Sequence, residues 1–231
     1  MNFYESTSFG LRVTSYDLVS PTYKNLTIRL IPIMRLGEEK YFKDIEAHLE
    51  TSGKILYEGI KMKPSKLRIK SLRTLAKRLD LVTQKNLNLK RFEEKIIHTD
   101  LDTQTTIQKW KRIPYLDRIK YSICFPIYLY FQDRTITRKK YAKYFMRSNE
   151  DINKIAAPMF DEKENVKEFY NEVRNIVIFK ELDKIHNENI KIKTVISVVY
   201  GSSQMKSIFY YLSNRYKYKV LNGSFINVFS I

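Results

Sequence analysis

Three short stretches carry the polar groups best suited to chemistry: Arg35-Leu36-Gly37, Glu58-Gly59 and Gly201-Ser202-Ser203-Gln204. Glu58 is a carboxylate able to act as a base, ligate a metal or accept from an arginine. Arg35 offers a planar fork of five donors and stays charged at any ordinary pH. Ser202 and Ser203 follow a glycine at the entry to a helical pattern. There, backbone N–H groups can hold an anion, or the hydroxyls can cap the helix. The three histidines are scattered: His48 inside a helical pattern, His98 just before Asp100 in an expected loop, and His186 at the end of a helix. Each reads as a surface or capping residue rather than a ligand. The single cysteine, Cys124, sits in an apolar run and reads as a core thiol. Alone it forms no intramolecular disulfide, and with three histidines it builds no thiolate zinc site. No G-x-S-x-G, H-E-x-x-H, G-x-x-x-x-G-K-[ST] or C-x-x-C occurs.

Hydrophobic period places those residues. Leu26 to Met34 (LTIRLIPIM) is an apolar, β-branched run and predicts a central strand. Glu38 to Thr51 puts Tyr41, Phe42, Ile45 and Leu49 on one helical face, with Ser52-Gly53 as its stop. Lys54 to Tyr57 is a second strand. The resulting β-α-β unit favours a parallel pair. Residues 61–149 read as mainly helical, with Leu67, Leu72, Leu75, Leu79 and Val82 as an apolar stripe. Phe92 to Lys111 is expected to add one or two helices anchored by Trp110. Glu162 to Asn187 predicts a long helix, Thr194 to Tyr200 a buried strand, Gln204 to Tyr216 a helix, and Ser224 to Ile231 a closing strand. The fold class is therefore α/β, a single domain over 1–231. Two β-α-β halves (about 26–60 and 162–231) flank the helical middle and invite comparison as a duplication. In such sheets ligands sit beyond the carboxyl ends of parallel strands, where all three polar stretches should meet.

A chain of 231 residues with 43% hydrophobic and 13% aromatic content can bury a core, which excludes wholesale disorder. The first eleven residues show no basic start followed by an apolar stretch. The most apolar run, Ile123 to Phe131, is too short to span a bilayer and contains Pro126. A protein of the cytoplasm, without a transmembrane segment, is the expectation. The net charge of +17 can attract nucleic acid or anionic membrane, yet lysine with abundant Ile, Asn and Tyr is also what an AT-rich genome encodes. The charge is concentrated. Lys61 to Arg91 holds eleven Lys/Arg against one acid, Asp80, and Arg134 to Arg147 interleaves six cations with aromatics and no acid. Those clusters suit phosphate and base contacts, or are the wet faces of amphipathic helices.

The order strand, Arg35-Leu36-Gly37, helix, then Ile55-Leu56-Tyr57-Glu58-Gly59 resembles the opening of the TraB/PrgY/TIKI superfamily. Leu75 to Trp110 is similar to its middle segment, Val173-Arg174-Asn175-Ile176 to its Arg-Asn helix motif, and Val198 to Gln204 to its strand and G-x-x-H turn. Tyr218 to Ile231 fits its closing segment, so the resemblance runs from about Thr27 onward. It implies a compact fold of two related halves meeting at one site. Members include metal-dependent proteases acting on peptide or signal-protein termini and inhibitors of secreted peptide pheromones; erythromycin esterases and a haem-binding lipoprotein are more distant. The motif residues carried over are Glu58, Arg174, Asn175 and Gly201. Where the family has its two histidines, this chain has Arg35 and Gln204, and Pro32 replaces a glycine.

Those departures undermine a metal centre, because an arginine repels a cation and a glutamine is a poor ligand. Neither metal nor cofactor is expected, and Glu58 is expected to pair with Arg35 or Arg174. The leading expectation is a catalytically degenerate binder of a peptide or signalling protein. Two others stand beside it: a surviving hydrolase using Glu58, alone or with a metal held by Glu58 and Asp100, and a nucleic-acid-binding protein using the basic clusters.

Overall fold

Leu26–Ile33 (β3) forms a strand because its β-branched and apolar side chains alternate onto two faces that are both covered. Its odd positions meet α1 (Glu39–Glu50): the Arg29 guanidinium, for example, donates to His48 O (3.0 Å) and Thr51 Oγ1 (2.7 Å). Tyr41, Phe42, Ile45 and Leu49 are the buried face of α1, as their spacing predicts. The computed structural model describes residues 1–58, 66–99, 108, 111–119, 136–147, 164–188 and 190–231. Cys124, the Ile123–Phe131 run, Asp100 and Trp110 lie outside the described residues.

The protein is α/β, built on a mixed seven-stranded sheet. Its strands are β1 (Tyr4–Thr7), β2 (Gly10–Val19), β3, β5 (Lys54–Tyr57), β7 (Ile96–His98), β8 (Thr194–Gly201) and β9 (Lys219–Ser230). β3, β8, β5 and β7 run parallel in that spatial order. β2 pairs antiparallel with β3 over Tyr16–Val19, with β1 over Gly10–Val13, and with β9 along its other edge. A second, two-stranded sheet joins β4 (Leu36–Gly37) to β6 (Val82–Thr83). The helices are α1, α2 (Lys66–Arg78), α3 (Tyr115–Ile119), α4 (Arg138–Arg147), α5 (Glu164–Asn187) and α6 (Ser202–Tyr216). α6 packs on β3 and β8 with α5 beside it, while α1 reaches β9 and α4 reaches β1 and β2.

Several expectations change. β3 and β5 belong to one parallel run of the sheet but are not paired; β8, the last of the four parallel strands in the sequence, lies between them. The closing strand of the second half pairs with β2 and runs antiparallel to it, so that half is no copy of the first. Within Phe92 to Lys111 the described residues give the end of a 3₁₀ turn (Leu89–Lys95) and the strand β7, with Gln108 and Lys111 helical, while 100–107 and 109–110 lie outside the described residues. Val82 leaves the helical stripe for β6, while Leu75 and Leu79 keep it buried. Gly53 follows α1 for a different reason than a left-handed cap. A Cβ there would lie 2.7 Å from Thr194 Cγ2, and its N–H donates to Val195 O (2.8 Å), so β5 starts hard against β8. Pro32 is tolerated in β3 because pairing with β2 stops at Leu30, leaving no ladder on that edge for it to break.

Candidate functional site

The four parallel strands end together. Register pairs Ile33 with Gly201, Tyr57 with Val199 and Tyr57 with His98, so the loops after β3, β8, β5 and β7 emerge at one edge. Arg35, Glu58, Gly201 and Gln204 all belong to those loops or to the first turn of α6.

Glu58 meets Gly201, and Gln204 lies beside them. The Gly201 N–H donates to Glu58 Oε2 at 2.8 Å, and the Glu58 N–H donates to Val199 O at 3.1 Å. A Cβ on Gly201 would sit 3.4 Å from Glu58 Oε2 and 3.8 Å from Gln204 Oε1, which places both side-chain oxygens around this position. Gly201 is the residue preceding α6, and no side chain of its own caps the helix. The carboxylate at this positive helix end is supplied by a neighbouring strand. This answers the two readings of Ser202-Ser203 differently from either: the chain's own Glu58 takes the place of an external anion.

Arg35 is exposed, and its guanidinium meets no carboxylate among the described residues. The expected Arg35–Glu58 pair is therefore not formed. Its backbone is nevertheless tied to the site. Arg35 O accepts from Gln84 N (2.9 Å), and Gln84 Nε2 donates to the hydroxyl of Tyr57, the residue before Glu58 (2.6 Å). Tyr41, fully buried, accepts from Met34 N (3.0 Å) and donates to Pro32 O (3.1 Å), which pins the chain where Arg35 leaves β3. Burial pushes the Tyr41 phenol well above its ordinary range, so it stays a protonated donor.

Arg174 and Asn175 lie on α5. Phe179 stacks on Tyr211 and His186 on Tyr216, so α5 and α6 run side by side in the same direction. Asn175 is about one turn nearer the strand edge than Phe179. Its Oδ1 is buried with no hydrogen-bond partner among the described residues. The Arg174 side chain lies outside the described residues.

Sequence reasoning missed the hydroxyl layer under this edge. Tyr200, buried beside Gly201, donates to Thr99 O (3.1 Å) and contacts the Thr99 hydroxyl, while Thr99 N donates to Tyr57 O (3.2 Å). The available signal was positional: a tyrosine precedes the exit loop of β5 and the last residue of β8, Tyr57 before Glu58 and Tyr200 before Gly201.

The histidines match expectation only in part. His98 closes β7, exposed and edge-on to Tyr57, rather than lying in a loop. His48 spans two elements, with Nδ1 donating to Asp44 O (2.8 Å) and Nε2 3.2 Å from Ser224 Oγ. It lines a cleft of about 380 Å³ with Asp17, Arg29 and Asn222, whose charges are matched internally by the Arg29–Asp17 pair (2.7 Å). His186 is buried, not capping. Nδ1–H donates to Leu182 O (2.7 Å), Nε2 accepts from the Tyr218 hydroxyl (3.1 Å), and Tyr23 packs edge-on.

A metal of the kind the family resemblance implies does not fit this edge. Arg35 is cationic, Gln204 is an amide, and Glu58 is engaged by a backbone N–H. Among the described residues no three His, Cys, Asp or Glu side chains gather closely enough to hold an ion. Comparison with protein-family models, curated proteins and solved structures finds no match to this chain.

Proposed function

We propose that the protein is a non-hydrolytic, TraB-like binder that takes the free carboxylate of a peptide or signal-protein terminus on Arg35. The observation that carries this reading is the division of charge at the strand edge. Glu58 is occupied by the Gly201 N–H, while Arg35 presents an unmatched guanidinium just beyond β3. A guanidinium fork recognises a carboxylate with two parallel bonds, a geometry that lysine does not reproduce. Capture of a terminal carboxylate is a recurrent mode of peptide recognition.

Calorimetric titration with short peptides tests it. Peptides with free carboxyl termini bind, amidated versions bind at least about tenfold more weakly, and Arg35→Ala abolishes the difference while Arg35→Lys restores it only in part. Equal affinity of the wild type for both peptide forms overturns the reading. Peptide cleavage that disappears in Glu58→Gln would instead establish the protein as a hydrolase.

A further inference from the structure

The sequence concentrates positive charge in two clusters that the strand-edge site leaves unused, and the fold brings their cores together. α2 has no acidic residue, and neither does α4. Leu75, Ala76 and Leu79 turn the inner side of α2 into the core, while Tyr141 and Ala142 do the same for α4. That leaves Lys70, Arg73 and Lys77 exposed at helical spacing on α2, and Lys139, Lys140 and Lys143 exposed on α4.

Arg138 joins the two helices end to side. Its Nε donates to Leu79 O (2.7 Å) and its Nη2 to Asp80 O (2.8 Å), the carbonyls just past the end of α2. The first turn of α4 is thereby held against the last turn of α2.

Elsewhere several cations are matched, while others, Arg35, Lys85 and Lys206 among them, meet no carboxylate among the described residues. Lys43 pairs with Glu39, Lys54 with Glu188, Arg91 with Glu46 and Glu50, and Lys184 with Glu181. Lys70, Arg73, Lys77, Lys139, Lys140 and Lys143 likewise have no carboxylate partner among the described residues. Asp80, exposed where the two helices meet and 3.8 Å from Arg138 Nη2, is a carboxylate at this junction, and those six cations outnumber it.

We infer that α2 and α4 form a docking surface for the phosphate backbone of nucleic acid. A polyanion relieves the mutual repulsion of the cations clustered on each helix and gains from counterion release. An anionic membrane is the poorer fit, because no large apolar side chain is exposed among the described residues of either helix. Interfacial helices need such side chains to enter the acyl boundary.

Fluorescence anisotropy with a labelled 20-base-pair duplex tests the surface in the full-length chain. Six phosphate contacts predict an affinity that falls by about a thousandfold between 50 and 200 mM salt, with a log–log slope near −5. The triple variant Lys70→Ala/Arg73→Ala/Lys77→Ala lowers the magnitude of that slope by about three. Lys43→Ala and Lys184→Ala leave it unchanged, and circular dichroism checks that each variant folds. Arg35→Ala also leaves duplex binding intact, which separates this surface from the carboxylate site. Absence of binding at 50 mM salt, a slope unaffected by the triple variant, or binding to phosphatidylserine vesicles but not to the duplex overturns the inference.

Discussion

Arg138 illustrates how one residue holds several segments. Besides its two bonds to the end of α2, it donates to Ser230 O (2.8 Å) and pairs with Glu38 (3.1 Å), whose Oε1 also accepts from Ser230 N (3.0 Å). It therefore ties α4 to α2, to the start of α1 and to the end of β9. Because three carbonyls and a carboxylate lose their donor together, Arg138→Ala is expected to cost about 2–4 kcal/mol in urea denaturation. Arg138→Lys recovers less than half, since an ammonium cannot span the same fork. The sequence showed that this residue is basic and sits in an aromatic-rich cluster. It did not show that the charge turns inward, because its partners are backbone carbonyls that carry no sequence signature. The same reason hid the state of Glu58: the residue type and its place at a strand end were readable, but its partner is a main-chain N–H.

The elements recovered best from sequence were those with an unambiguous period. β3, α1, β5 and β8 match within a residue or two, since an apolar run or a 3.6-residue stripe needs no distant context. β1 and β2 were not foreseen, as Tyr4–Thr7 and Gly10–Val19 mix polar and apolar residues without clean alternation. The short β7 is similarly faint, being made a strand by its pairing with β5. Where α5 and α6 meet, the pairing of elements has a pH signature. Burial is the main cause lowering the His186 pKa below its ordinary 6.5, opposed by the Leu182 carbonyl and Asp183. Asp183 is itself raised by burial, but the Tyr211 and Tyr216 hydroxyls and Arg215 outweigh this and hold it below its usual value. For His186 the folded state binds fewer protons than the unfolded state once pH falls below about 6.5. Its contribution is thus complete at neutral pH and is lost on acidification through that value. Urea midpoints should drop between pH 7.5 and pH 5.5, and His186→Phe, which keeps an aromatic ring against Tyr216, should remove much of that drop. An unchanged pH dependence in the variant would refute the assignment.

Across the whole molecule, the α/β class and the shared strand edge were readable, whereas the strand order was not. Hydrophobic pattern says that a strand is buried on both faces and leaves open which neighbours it takes. The antiparallel flank rests on one unusual backbone position. Gly10 has φ of +155°, and a Cβ there would lie 2.1 Å from Phe229 O on β9. Gly10→Ala is expected to cost about 2–4 kcal/mol through backbone strain and displacement of β9. That corresponds to a fall in Tm of roughly 5–15 °C by calorimetry.

The place of β8 between β3 and β5 also bears on synthesis. A ribosome releases both flanking strands long before the one that fills the gap, so the nascent polypeptide must carry two strand edges without their shared neighbour until β8 emerges. Such edges invite mispairing with other emerging chains. Completion of the parallel core accordingly waits until Gly201 has cleared the exit tunnel.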